Sequence, residues 1–136
     1  MFTFAGGAIS WKSSKQTVIA SSTIYAEFVA CYEASRQVKW LKKFIPELRV
    51  VDSIEKPLKM YCDNKPASFY AHNNKSSGAA KHIDIKFYVV KEKIQDHAIS
   101  LEHISTKKML ADPLTKGLPP SVFGEHVAGM GLRESL

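Results

Sequence analysis

No stretch of this sequence approaches the ~20 consecutive apolar residues that a membrane-spanning helix requires, so no membrane role is expected. The apolar opening, MFTFAGGAIS, is short and has no basic residue before it; it reads as strand, not as a secretory signal. Only two cysteines occur, Cys31 and Cys62, both inside apolar runs and without metal-site spacing. They read as core residues, because an intracellular chain of this size needs no disulfide. There is no block of like charge, no low-complexity segment and no internal repeat, which argues against a disordered tail or a solenoid. Acidic residues are missing from the front: none precedes Glu27. Cytoplasm or nucleus is the expected location.

What is present fits one soluble domain. The 136 residues are 45% apolar and 24% charged, the ordinary balance of a globular chain. Nineteen basic residues against thirteen acidic ones give a net charge of +6, which favours a polyanionic partner, most often nucleic acid.

Phe2–Phe4 and residues 8–11 read as two strands turned at Gly6-Gly7. A polar connection over residues 12–16 leads to a helix that the Ser21-Ser22-Thr23 cluster can cap. Ile24, Glu27, Cys31, Ala34, Val38, Leu41 and Ile45 recur at steps of three and four, one stripe of a helix that Pro46 should end. Glu27 is the only charged member, and a carboxylate on a buried face is costly unless something pairs with it. Leu58–Cys62 reads as a strand ending at Asp63. Asn64 and Pro66 then open a second helix, and residues 73–78 form a loop. A helix over Lys81–Gln95 carries the stripe Ile83, Phe87, Val90 and Ile94. Residues 99–104 read as a strand, and a short helix begins near Asp112-Pro113. The tail, residues 121–136, has room for a further helical turn or two. This order predicts an α/β fold, a mixed sheet with helices packed on it and a strand-to-helix switch at Asp63.

Three carboxylates stand out by position: Glu27 on a core-facing stripe, Asp63 at a strand tip and Asp112 at a helix start. Acids aimed at one point repel each other, so such a cluster usually holds hard divalent cations. Two magnesium ions roughly 4 Å apart activate a water and steady the leaving oxygen in phosphodiester cleavage. Each acid also has a structural reading, as helix-dipole partner, turn residue and N-cap respectively. Spacing alone does not choose between the two.

The motifs GGAISWKSSKQTVIASST, YAEF, YCDN, KHIDIK and HIS followed by LADPLTKGLP stand in this order along nearly the whole chain. Together they resemble the RNase H domain that closes the Pol polyprotein of plant copia-type retrotransposons. The resemblance implies an RNase H-like fold over residues 1–120 and a polyprotein tail over 121–136. It also implies that Glu27, Asp63 and Asp112 are catalytic ligands of Mg2+ or Mn2+. Tyr25 stands where the family often has a first glutamate, and only the second, Glu27, is implied as a ligand. Domains of this family also carry an earlier strand whose aspartate bridges the two metals, and the present sequence starts inside the second strand. The expectation is an RNase H-like fold lacking its first strand and first catalytic aspartate, with weak or absent metal binding. Its sheet edge would be left open to a protein partner or to self-association.

Lys12, Lys15 and Gln16 after the hairpin, and Lys107 and Lys108 before Asp112, are candidate nucleic-acid contacts; solvated loop lysines are the competing reading. His72, His82, His97, His103 and His126 lack ligand spacing, His82 and Asp84 of KHIDIK read as structural, and Trp40 as an edge-of-core aromatic. Two functions remain open at this point. One is a catalytically impaired module that binds nucleic acid or protein. The other is an active ribonuclease that cuts the RNA strand of RNA–DNA hybrids once an upstream segment or partner chain supplies the missing carboxylate.

Overall fold

The longest element starts where a capping hydroxyl is available. In the computed structural model, which describes residues 1–17, 22–72 and 81–132 (backbone alone for 69–72 and 81–84), Ser22 Oγ accepts the backbone N–H of Tyr25 at 3.3 Å. Helix α1 then runs over Thr23–Glu47. Pro46 sits inside its last turn instead of beyond it. Leu48 donates its N–H to the carbonyls of Phe44 and Ile45, and Arg49 turns left-handed at φ 57° to close the end. The buried face of α1 comprises Tyr25, Phe28, Val29, Cys31, Ser35, Val38, Leu41 and Ile45. The expected stripe is therefore right in its second half and displaced in its first: Ile24, Glu27 and Ala34 lie half-buried on its flank. Ser35 occupies a fully buried position because its hydroxyl donates to the Tyr32 carbonyl at 2.8 Å, satisfying itself within one turn.

The chain divides into two compact units, residues 18–103 and residues 1–17 with 104–136. In the first, β3 (Leu58–Cys62) pairs in parallel with β4 (Ile99–His103), Leu58 opposite Ile99 and Cys62 opposite His103. Parallel strands need a crossover, and α2 (Lys65–His72) and α3 (Lys81–Gln95) belong to it. Along β3, Met60 and Cys62 are buried while Lys59 and Tyr61 are exposed, the period-two alternation of a strand with one covered face. Helix α1 packs on α3. Phe28 and Phe87 meet with ring centroids 5.1 Å apart, Lys93 Nζ donates to the Ser35 carbonyl at 3.2 Å, and Val90 is wholly buried.

In the second unit, β1 (Phe2–Phe4) and β2 (Gly7–Ser10) form an antiparallel hairpin. Its turn falls one residue earlier than the Gly6-Gly7 pair suggests. Ala5 (φ 50°) and Gly6 (φ 81°) both take positive φ, as the tight turn matching strand twist demands, and Gly7 is already in β2. Short 3-10 turns at Thr106–Lys108 and Asp112–Leu114 lead to α4 (Pro120–Gly129), so the tail segment holds a ten-residue helix. The Ala8 N–H donates to the Met130 carbonyl at 2.9 Å and ties the hairpin to the end of α4.

The α/β class is as expected. Among the described residues the strands form two separate two-stranded sheets, one antiparallel and one parallel, and not the single mixed sheet expected. Among the described residues no helix is long and apolar enough to cross a membrane. The expected loop at 73–78, the side chains of Ile83, His82 and Asp84, and residues 133–136 lie outside what is described.

Candidate functional site

Asp63 follows directly on β3, and Asn64 caps the next helix: its Oδ1 accepts the Ala67 N–H at 3.0 Å. The cap fixes the strand-to-helix switch and with it the backbone that carries Asp63. Glu27 lies on the second turn of α1, on the flank of the buried face. These two elements bring together residues 36 positions apart. Ligand atoms of Glu27, Cys62 and Asp63 all lie within 4.8 Å of one another, with both acids half-buried and Cys62 buried. The Cys62 Sγ donates to Glu27 Oε2 and to the Asn64 carbonyl, each at 3.7 Å. Two oxygen donors from two elements, partly shielded from water, suit a hard divalent cation. The neighbouring sulfur is a softer donor.

Cys31 lies behind this group. Its hydrogen bond with Cys62, burial, and the charges of Cys62 and Glu27 push its thiol well above the ordinary value. Both cysteines are core residues, as expected (7% and 1% exposed). The sequence did not reveal that Cys62 also touches Glu27. Its only signal was adjacency to Asp63, since a contact across 35 residues leaves no local pattern.

Asp112 belongs to the other unit. It is the first residue of its 3-10 turn, with Ala111 at the cap position, so the N-cap reading does not hold. Its carboxylate is 9% exposed and pairs with Lys116 Nζ at 3.0 Å, and its carbonyl accepts the N–H groups of Thr115 and Lys116 at 2.9 Å. Lys12, Lys15 and Gln16 are exposed after the hairpin, and Lys107 and Lys108 are exposed in the turn before Asp112. Of the histidines, His97 and His103 are exposed and His126 is buried; the side chains of His72 and His82 lie outside the described residues. Trp40 is not an edge-of-core residue: it is 51% exposed and stacks on Phe44.

The chain is 37% identical over 123 residues, 90% of its length, to the retrovirus-related Pol polyprotein from transposon TNT 1-94 of Nicotiana tabacum. It is 31% identical over 124 residues, 91% of its length, to the retrovirus-related Pol polyproteins from transposons RE1 and RE2 of Arabidopsis thaliana. It spans only 9% of the first polyprotein and 8% of the other two. No family model and no solved structure matches it. These relatives make it homologous to one segment of the retrovirus-related Pol polyproteins of plant copia-type transposons, and support its reading as a transposon-derived domain.

Proposed function

We propose that this segment is an RNase H-like domain of such a polyprotein, in which Glu27 and Asp63 serve a metal-dependent phosphodiester site. The observation that carries the reading is the meeting of Glu27 and Asp63, from α1 and the tip of β3, within 4.8 Å. That placement is costly for two acids unless a cation offsets their repulsion. Bound Mg2+ or Mn2+ would supply an activated water and charge stabilisation at the leaving oxygen. Glu27 and Asp63 would hold it, and the Asn64 cap would position Asp63; a catalytic role for Asp112 is implied by the resemblance alone. Substrate preference would come from the shape and 2′-hydroxyls of an RNA–DNA hybrid, with exposed Lys12, Lys15, Gln16, Lys107 and Lys108 contacting phosphates.

These 136 residues have no acid before Glu27, so the polypeptide alone is expected to bind hybrid far better than it cuts it. A fourth carboxylate from an attached segment or a partner chain would restore cleavage. The test pairs Mn2+ binding, followed by electron paramagnetic resonance, with cleavage of an end-labelled hybrid. Asp63→Asn and Glu27→Gln should each weaken Mn2+ binding sharply. Binding indifferent to both substitutions would remove the metal-site reading. Efficient cleavage by the 136 residues unaided would overturn the claim that they are impaired, while leaving the RNase H assignment in place.

A further inference from the structure

The second half of α1 turns a second face to solvent, opposite in character to the one it buries. Trp40 (51% exposed) and Phe44 (37% exposed) are four residues apart on this face. Their rings stack at 4.5 Å between centroids and 13° between planes. With one face of the indole against Phe44, its exposure is left to the other face and the ring edge. An unpaired aromatic couple costs hydration free energy in isolation. Basic charge predominates around it: Lys39 and Lys43 are exposed on the same side of the helix, as is Arg36, which pairs with Glu33 at 3.6 Å, at spacings of three and four residues. Residues 33–49 carry five basic residues against two acids, Glu33 and Glu47, in a chain whose net charge is +6. Part of the molecule's positive excess is therefore gathered around this exposed ring pair.

We propose that this face binds single-stranded nucleic acid, with a base stacked on the Trp40 indole and adjacent phosphates held by Lys39 and Lys43. The charge selects a polyanion. The accessible ring selects a strand whose bases are unpaired, because duplex bases are already stacked on one another. A protein partner with a merely apolar surface would leave the lysines uncompensated. The proposal deepens the nucleic-acid reading above and rests on it, but it uses none of the metal-site residues.

Trp11 is the chain's other tryptophan, so Trp11→Phe leaves Trp40 as the sole indole reporter. In that background a short oligodeoxythymidylate is expected to quench Trp40 fluorescence. Anisotropy of the same oligonucleotide, carrying fluorescein, should show Trp40→Ala weakening binding roughly 5- to 150-fold, the range for one stacked base. Lys39→Glu with Lys43→Glu should flatten the dependence of log affinity on log salt by about 0.7 per phosphate lost. The charge variant keeps both rings, so it tests the face even where Trp40→Ala harms folding. Glu27→Gln should leave all three readings unchanged, which separates failure of the metal site from failure of this face. Absence of quenching, or affinity indifferent to both the Trp40 and the lysine substitutions, overturns the proposal. So does Trp40-dependent self-association in sedimentation without oligonucleotide binding, which would make the face a contact between copies.

Discussion

The Cys31 thiol is the residue whose surroundings make the clearest demand on pH. The Cys62 hydrogen bond, burial and the nearby Glu27 charge all favour its protonated form in the fold and push its pKa above the ordinary 9.0. In the unfolded chain the thiol ionises near that ordinary value. Stability from this group is thus fully present below about pH 9. It is lost as pH rises further, because only the unfolded chain can then release the proton. Because the same hydrogen bond lowers the Cys62 pKa, the control removes both thiols. Urea midpoints measured from pH 8 to 10 should fall more steeply for the native chain than for the double variant Cys31→Ala with Cys62→Ala, once the cavity cost of the substitutions, roughly 1–3 kcal/mol each, is taken as a constant offset. Parallel slopes in the two proteins would contradict the assignment. This residue also marks the limit of sequence reasoning at its own scale. Its burial was legible from an apolar run, whereas its contact with Cys62, and through Cys62 with Glu27, depends on how a helix lies against a strand.

At the scale of elements, the junction between β3 and α2 was the most legible part of the chain. Alternating hydrophobicity bounded Leu58–Cys62, and an asparagine before a proline-containing first turn announced the helix that follows. Asn64→Ala removes the acceptor for the Ala67 N–H and should cost about 0.5–2 kcal/mol of stability. Because the cap also sets the backbone at Asp63, Mn2+ affinity should drop with it, whereas Ser22→Ala, an equivalent loss at the start of α1, should cost comparable stability. If Asn64→Ala lowers the thermal midpoint but leaves Mn2+ affinity untouched, the cap does not position the acid. Other elements were legible only approximately. The α1 stripe was assigned through Ile24, Glu27 and Ala34 and passed over Phe28, an apolar residue of a type that favours burial, and Ser35, a polar one of a type that does not. Phe28 is buried by its contact with Phe87, and Ser35 by a hydrogen bond within its own turn. The hairpin turn was placed on the two glycines, while the fold puts Ala5 in the left-handed region and Gly7 in the strand.

For the molecule as a whole, what holds the first and last segments together could not be read from local pattern, because it consists of backbone meeting backbone. The end of α4 closes on the hairpin through the Ala8 N–H and the Met130 carbonyl, and Gly131 follows at φ 74°. A Cβ at this position would collide with the Gly6 carbonyl oxygen and approach the Gly7 Cα to 2.9 Å. Both are main-chain atoms that cannot swing aside. Gly131→Ala is therefore strained in conformation and in space, with a cost of about 1–2 kcal/mol from the left-handed backbone alone. Gly124, inside α4, has nothing within 4 Å of the added atom, and alanine there should instead stabilise the helix by about 0.5–1 kcal/mol. Amide hydrogen exchange distinguishes these outcomes. Gly131→Ala should reduce protection of the Ala8 amide roughly 5- to 30-fold, and Gly124→Ala should raise protection within α4. Leu41→Ala, in the core of the other unit and 2% exposed, should cost about 2–5 kcal/mol and reduce protection in α1 and β3. An Ala8 amide that exchanges at the same rate in Gly131→Ala would mean that the hairpin does not depend on the close approach of the backbone at Gly131.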